Sequence, residues 1–309
     1  MTTRYRCYGL ELDADRPLPW FAPGDSARRA DVRLEFAESA AAFAAHGAPR
    51  YTSQALAEAG AAAVEIHEGE IAGTRYTQIA YADGCRFEVS ATGDHIRIAW
   101  PRHFTIEDAM TYLTGPILGY ALRRRGRFAL HASGVSFDGK ALVFAGEGGA
   151  GKSTLAAACV TGGAVAVTDD VAAFVCGDEP RVSAGYGHFR LWDASVAALG
   201  NRGAATSLLT PNWTKRLLAV DTIVDAPAAA VYVLGDPVAA LRVEPLPVAE
   251  ATIELARLAF AARWMTREEL AASFVDAARV ATMVPVARLH GSRHDADAAV
   301  SVVRQHRGT

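Results

Sequence analysis

One glycine-rich segment, GEGGAGKS, carries the clearest chemical signal in the sequence. It matches the pattern G-x-x-x-x-G-K-S at every position, ending on Lys152 and Ser153. Glycines let a backbone wrap closely around phosphate oxygens, with successive N–H groups pointing inward. Lys152 would then neutralise the outer phosphates, and Ser153 would offer its hydroxyl to Mg²⁺. We therefore predict an ATP site built from Gly146, Glu147, Gly148, Gly149, Ala150, Gly151, Lys152, Ser153 and Thr154.

Two adjacent acids, Asp169 and Asp170, supply the second signal. They end the apolar run AVAVT, so a strand beside the one leading into the glycine-rich segment would deliver both carboxylates at its C-terminal edge. Because adjacent residues on a strand point to opposite sides, the two should have different tasks. One would hold Mg²⁺ while the other would face an acceptor hydroxyl as general base. A solvated Asp-Asp turn is the alternative.

A histidine, His131, ends the run FALHA just before the hairpin sequence VSFDGKALVF. The Asp138-Gly139 pair in that hairpin suits a type I′ turn. The hairpin would pair the His131 strand antiparallel with the strand before Gly146 and bring the imidazole towards the phosphates. A lone histidine is more often structural, so the residues alone leave both roles open.

The elements around these residues follow an α/β pattern. The run ALVFA predicts a strand leading into the glycine-rich segment, and STLAAACVTGG predicts a helix ended by Gly162 and Gly163. Further apolar strands alternate with helices predicted at roughly 248–262, 266–282 and 294–306. Such alternation is typical of an α/β core with its ligand site at one sheet edge.

The first third of the chain has a different, period-2 pattern. Stretches such as YRCYGLEL, DVRLEF and HIRIAW predict strands separated by turns, and two Ala-rich stretches, SAAAFAAHGA and SQALAEAGAAA, suggest short helices. A capping-box-like start at Thr105 and Asp108 predicts a helix that Pro116 should interrupt. We therefore predict a β-rich α+β domain at 1–103 and an α/β P-loop domain at 104–309.

Composition excludes several classes of protein. A net charge of −3 over 309 residues argues against a nucleic-acid binder. The start lacks the apolar core of a signal peptide, and no window is apolar enough for a membrane helix, so we expect a cytoplasmic protein without a membrane partner. Four scattered cysteines without CxxC spacing indicate neither a zinc site nor a disulfide framework.

The spacing of the key residues resembles that of a known family. His131, Lys152 and Asp170 follow one another at 21 (152 − 131) and 18 (170 − 152) residues, as in the C-terminal catalytic domain of HPr kinase/phosphorylase. That domain shares its fold with ATP-dependent phosphoenolpyruvate carboxykinase, and the resemblance covers roughly residues 115–305. It implies that Asp170 is the proton acceptor, that His131 and Lys152 are its active-site partners, and that Ser153 and Asp169 bind Mg²⁺.

The resemblance weakens after the acidic pair. HPr kinases carry a further acidic metal ligand and an active-site arginine that have no secure match in this sequence. The segments FRLW and WTKR look like the corresponding segments of shorter HPr-kinase-related proteins. They imply that Arg190, Lys215 and Arg216 contact phosphate or acceptor.

The N-terminal third does not resemble the regulatory domain of HPr kinases. Its segment YGLELDADRPLPWF is similar to HPr-kinase-related kinases of lasso-peptide gene clusters, which phosphorylate a serine on the precursor peptide. The resemblance implies an ATP- and Mg²⁺-dependent serine kinase acting on a peptide or small protein, such as the C-terminal serine of a lasso-peptide (RiPP) precursor, and it suggests a homo-oligomer. The alternatives are an HPr(Ser) kinase/phosphorylase, a kinase for a small metabolite, and a nucleotide-binding regulator without turnover.

Overall fold

The chain forms two compact units in the computed structural model: Met1–Arg6 with Leu10–Gly126, and Cys7–Gly9 with Arg127–Thr309. The described residues are 2–37, 39, 43, 47–54, 63–200, 206–220, 223–236, 241–291 and 300–301. The two Ala-rich stretches and the helix predicted at 294–306 lie largely outside these residues. Within them, no helix is long and apolar enough to cross a membrane.

The first unit is built on a nine-stranded sheet, as its period-2 sequence predicted. Its strand order is β3-β1-β2-β4-β9-β8-β7-β6-β5. In β9, Ile96 and Ile98 are fully buried while His95 and Arg97 are only partly so, which is the alternation expected of a strand with one face on a core. The strands are β1 (Thr3–Cys7), β2 (Leu10–Ala14), β3 (Ala22–Pro23), β4 (Val32–Phe36), β5 (Tyr51–Thr52), β6 (Val64–Ile71), β7 (Thr74–Tyr81), β8 (Arg86–Ser90) and β9 (His95–Ala99).

A helical segment completes this unit. It consists of α1 (Ile106–Tyr112), a π-helical turn (Leu113–Ile117) and α2 (Leu118–Arg124). Thr105 and Asp108 form the predicted capping box, and Pro116 lies inside the π-helical turn, where its missing N–H and its ring break the regular α-helical ladder.

The helical segment groups with the strands before it, whereas the sequence had placed it in the second domain. Tyr112 stacks on Tyr81 of β7 with ring centroids 4.0 Å apart, and the Tyr120 hydroxyl lies 3.0 Å from Thr77 Oγ1. The units consequently divide at Gly126 rather than after residue 103. Capping signals mark where a helix begins but carry no information about which sheet it packs on.

The second unit combines a mixed sheet, a small antiparallel sheet and helices. Its larger sheet follows the order β11-β10-β13-β14-β18-β20-β19, with β12 also paired to β10 and β18 also paired in parallel to β11. The strands are β10 (Phe128–Phe137), β11 (Lys140–Ala145), β12 (Val165–Thr168), β13 (Val171–Val175), β14 (Arg181–Val182), β15 (His188–Leu191), β16 (Thr206–Thr210), β17 (Trp213–Ala219), β18 (Ala226–Leu234), β19 (Arg242–Pro245) and β20 (Val286–His290). The helices are α3 (Lys152–Thr161), α4 (Asp193–Leu199), α5 (Val248–Arg257), a 3₁₀ turn (Ala262–Trp264) and α6 (Arg267–Met283).

Both faces of the larger sheet are covered. Along β11, Ala141 and Val143 pack in one apolar cluster with residues of α5 and α6, and Leu142 and Phe144 pack in another with residues of α3. An apolar run buried on both faces explains why β11 lacks polar alternation. This packing fixes the end of β11 and the start of α3, between which the glycine-rich loop lies.

The predicted hairpin joins β10 to β11 in antiparallel register, with Ala132 opposite Ala145. Asp138 and Gly139 both have positive φ, +49° and +78°, as a type I′ turn requires. The strand before the acidic pair was placed wrongly by the sequence argument, because β12 pairs with β10 and not with β11. The acids therefore lie beside the His131 strand, one strand removed from the glycine-rich loop.

Candidate active site

The glycine-rich loop connects the end of β11 to the first residue of α3. Gly149 and Gly151 have φ of +76° and +95°, a region that side chains other than glycine rarely adopt. The Lys152 ammonium group donates to the carbonyl oxygens of Gly146 and Glu147, both at 2.9 Å. The local sequence thus produces a tight loop with its lysine folded across it.

Lys152 is almost fully buried, with 6% of its surface exposed. Burial lowers the pKa of its ammonium group, while the carboxylates of Asp170 and Asp169 act in the opposite direction. Both acids are therefore close enough to the loop to contribute to the same local field. The loop is also tied at its flanks, where Glu147 pairs with Arg257 and Thr154 Oγ1 donates to Ser195 Oγ at 2.8 Å.

Asp169 is buried, and both of its carboxylate oxygens accept hydrogen bonds. Its Oδ1 accepts hydrogen bonds from Ser133 Oγ at 2.6 Å and from Ser153 Oγ at 2.8 Å, and its Oδ2 accepts one from the Arg190 N–H at 2.9 Å. Only 1% of the residue is exposed. These contacts hold the carboxylate in one orientation beside the loop hydroxyl.

Asp170 is more open and lies between two basic groups. Its Oδ1 is 3.5 Å from His131 Nε2, its Oδ2 is 3.3 Å from Arg190 Nη1, and 24% of its side chain is exposed. Burial opposes ionisation, but the hydrogen bond from His131 and the charge of Arg190 together hold the pKa of this carboxyl well below its usual range. Asp170 is therefore a carboxylate held between an imidazole and a guanidinium.

The two carboxylates lie on the same face of the sheet, contrary to the alternation that the sequence suggested. His131 and Ser133 are two residues apart on β10 and so share a face; the first contacts Asp170 and the second contacts Asp169. Asp170 has φ of +68°, which interrupts the strand between β12 and β13. This left-handed residue turns its side chain back towards the side that Asp169 already occupies.

The three basic candidates from the two later segments differ in their surroundings. Arg190 on β15 is inside the site, with its side chain 9% exposed and its guanidinium 5.2 Å from the Tyr186 ring centroid. Lys215 on β17 lies over the Trp192 ring at 4.9 Å, and its charge contributes to the lowered pKa of Asp170. Arg216 Nε instead pairs with the exposed Asp193 at 2.5 Å.

Burial would lower the pKa of Arg190, but the neighbouring Tyr186 and Asp170 outweigh it, so the guanidinium stays charged. Its backbone N–H donates a hydrogen bond to Asp169, and its side chain donates one to Asp170. A single residue on β15 therefore fixes both carboxylates of the pair.

Among the described residues, sequence reasoning missed two whose side chains hydrogen-bond to the acidic pair. Ser133 could have been found, because it lies two residues after His131 on the same predicted strand. The Tyr8 hydroxyl, from near the start of the sequence, donates to the Asp169 carbonyl at 3.3 Å, and no local sequence pattern predicted this contact.

The donor set beside the loop suits a hard cation. The described residues contain no group of three or more His, Cys, Asp or Glu side chains that could hold a metal ion among themselves. Ser153 Oγ and Asp169 Oδ1 lie 2.8 Å apart, and one hydroxyl with one carboxylate is the kind of oxygen pair that holds Mg²⁺ together with substrate phosphates. The oxygen atoms of these two side chains are therefore of the kind that Mg²⁺ prefers.

No protein-family model matches the chain, and no curated protein matches it. Among solved structures it is similar to the HPr(Ser) kinase/phosphatase from Coxiella burnetii, at 16% identity over 58% of this chain and 95% of that chain. The TM-score is 0.32, so the likeness is a distant structural one. The chemistry of the site is therefore inferred from its own residues.

Proposed function

We propose that this chain is an ATP- and Mg²⁺-dependent kinase that phosphorylates a serine hydroxyl on a peptide or protein. One observation carries the proposal: the Asp170 carboxylate lies 3.5 Å from His131 Nε2 and 3.3 Å from Arg190 Nη1, within the electrostatic range of Lys152. A protein that only bound nucleotide would not need an oriented carboxylate beside its phosphate site.

The site residues would have the following roles in the reaction. Gly146–Thr154 would bind the triphosphate, and Lys152 would offset charge on the transferred group. Ser153 and Asp169 would hold Mg²⁺, whose charge neutralises the phosphate oxygens. Because Asp169 is already fixed by three hydrogen bonds, it would bind the ion with little reorganisation.

Asp170 would accept the proton of the acceptor hydroxyl. The serine oxygen forms a bond to the γ-phosphorus, the bond to the bridging oxygen of ADP breaks, and the proton passes to the carboxylate. A carboxylate with a lowered pKa is a weak base, but phosphoryl transfer through a loose transition state depends more on orientation than on basicity. His131 and Arg190 would supply that orientation.

The acceptor class is inferred from the N-terminal segment YGLELDADRPLPWF and its similarity to lasso-peptide kinases. We propose the C-terminal serine of a precursor peptide. The test incubates the full chain with Mg²⁺, ATP and a peptide ending in serine, alongside the same peptide ending in alanine, and follows peptide mass. We expect one added phosphate on the serine peptide alone.

Parallel reactions with HPr protein and with small hydroxylated metabolites separate the alternatives. If phosphate is transferred only in one of those reactions, the protein is a kinase but the proposed peptide acceptor is wrong. ATP binding without product in any reaction would contradict the kinase and favour a regulator without turnover.

The general base is tested by Asp170→Asn. This change keeps the shape but removes the charge, so we expect turnover to fall by about 10²- to 10⁴-fold while ATP affinity is retained. Asp178→Asn, which alters an exposed carboxylate of the same unit, is the control and should leave both quantities unchanged. Turnover unaffected by Asp170→Asn would contradict the assigned role.

A further inference from the structure

The three-residue segment Cys7–Gly9 belongs to the second unit although it lies near the start of the chain. Tyr8 is fully buried there, and its N–H donates to the Ala184 carbonyl at 2.7 Å. Arg127 Nη1 donates to the carbonyls of Tyr8 and Gly9 at 3.3 and 3.1 Å. The segment is thus fixed in this unit by its backbone as well as by its side chain.

The backbone at Asp170 forms a turn with unfavourable geometry. The Val171 N–H donates to the Asp169 carbonyl at 2.8 Å, which closes an i to i+2 turn around a residue with φ of +68°. Such γ-turns with positive φ are rare and strained, and they persist where the surroundings over-determine them. The direction of the Asp170 carboxylate depends on this turn.

Tyr8 contacts the same carbonyl. Its hydroxyl donates to Asp169 O at 3.3 Å, so two donors converge on the oxygen that closes the turn. Gly185 allows the approach, because a Cβ there would lie 3.0 Å from Tyr8 Cε1 and 2.6 Å from Thr168 Oγ1. Because Gly185 has no side chain, it leaves room for the tyrosine ring.

We propose that Tyr8 is a positioning residue of the candidate active site, whose hydroxyl stabilises the strained turn that orients Asp170. Its hydroxyl donates to the main-chain carbonyl of Asp169, so we infer that it acts through the backbone. The inference rests on the proposed function for the task of Asp170, but the hydrogen bond itself can be tested without any enzymatic assay.

A neighbouring tyrosine provides a matched control. Tyr186 is buried, its ring lies edge-on to that of Tyr8 at 6.5 Å, and within the described part of the chain its hydroxyl has no hydrogen-bond partner. Tyr8→Phe and Tyr186→Phe therefore remove the same group from adjacent buried rings. Only the first removes a donor from the Asp169 carbonyl.

The experiment compares the two variants in the full-length chain by steady-state kinetics and by amide hydrogen exchange at Val171. For Tyr8→Phe we expect kcat to fall about fivefold with KM for ATP unchanged, together with faster exchange at Val171. For Tyr186→Phe, which keeps the ring beside Arg190, we expect wild-type exchange at Val171. Equal exchange at Val171 in the two variants would overturn the inference.

The two proposals fail in distinguishable ways. If the wild type transfers no phosphate to any acceptor, the proposed kinase fails, and hydrogen exchange at Val171 alone decides whether Tyr8 supports the turn. If the wild type is active and Tyr8→Phe matches it in both kcat and exchange, only the positioning role is lost.

Discussion

At the scale of single residues, Asp169 and Asp170 are chemically identical neighbours with different surroundings. Asp169 accepts three hydrogen bonds and is buried, which suits a fixed metal ligand. Asp170 retains solvent access and contacts an imidazole and a guanidinium, which suits a proton acceptor. The division of tasks stays a prediction, supported by these contacts rather than by strand alternation.

Ser133 offers a test of Asp169 as the proposed metal ligand. Its hydroxyl makes a short hydrogen bond of 2.6 Å to the Asp169 carboxylate, and such charge-assisted bonds are among the stronger ones. We expect Ser133→Ala to lower kcat about tenfold and to raise the Mg²⁺ concentration needed for half-maximal activity. Ser136→Ala removes another buried hydroxyl from β10 and should change neither; an equal effect of the two would refute the role of Ser133.

His188 should make the stability of the protein sensitive to acid. Burial and then the charge of Arg190 lower the pKa of His188 below its ordinary value of about 6.5. Because the unfolded chain binds this proton more readily, stability is full above that value and is lost as pH falls below it. We expect denaturant titrations between about pH 7 and 5 to show a smaller loss in His188→Gln than in the wild type.

The exposed His103 provides the control for this titration. His103→Gln should reproduce the pH dependence of the wild type. An identical slope in all three proteins would mean that His188 is not the group responsible.

At the scale of elements, only some positions of the glycine-rich loop have a backbone conformation that favours glycine. Gly151 has φ of +95° and Gly148 does not have positive φ, although a Cβ would meet no atom within 4 Å at either. We expect Gly151→Ala to cost about 1–2 kcal/mol of stability, measured by thermal unfolding without nucleotide. Gly148→Ala should be close to neutral; equal losses would show that backbone strain is not the cause.

The segment from β12 to β13 shows how one residue changes an element. Both strands pair with β10, and the residue between them with positive φ is Asp170. A regular strand would have placed the two carboxylates on opposite faces. The local γ-turn replaces that alternation and brings both acids to the face that carries His131 and Ser133.

At the scale of the whole molecule, the chain divides into two compact units, and we expect a substitution in the first to leave ligand binding by the second unchanged. In the first unit, the fully buried Glu88 pairs with Arg97 and accepts a hydrogen bond from Gln78 at 3.1 Å. We expect Arg97→Ala to lower the free energy of unfolding, measured by denaturant titration, by about 3–5 kcal/mol, because it removes the cationic partner of a buried carboxylate. ATP affinity should not change, since every proposed nucleotide ligand lies in the second unit.

An exposed ion pair of the same unit gives the comparison. Arg33 lies 3.8 Å from Glu35, with 66% and 39% of the two side chains exposed. Arg33→Ala should cost at most about 1 kcal/mol in the same denaturant titration. A loss as large as that of Arg97→Ala would argue against burial as the cause.

The sequence by itself determined the features that depend on short stretches of backbone. Three such features could be predicted, because each needs particular residue types at fixed, small separations. They are the loop before Lys152, the Asp138-Gly139 turn and the Thr105 capping box. The strands of the first unit followed from their alternation in the same way. Each of these conformations is favoured by a few neighbouring residues, so a local pattern is enough to predict it.

Only the tertiary structure decided which of these elements meet. Three features join residues that are far apart in sequence. They are the pairing of β12 with β10, the placing of the helical segment in the first unit, and the contact between Tyr8 and Asp169. Such contacts are selected by packing and burial over the whole chain, so a local pattern cannot encode them. The position of Asp170 combines both levels, since its turn is local but the groups that hold it come from β10, β15 and the start of the chain.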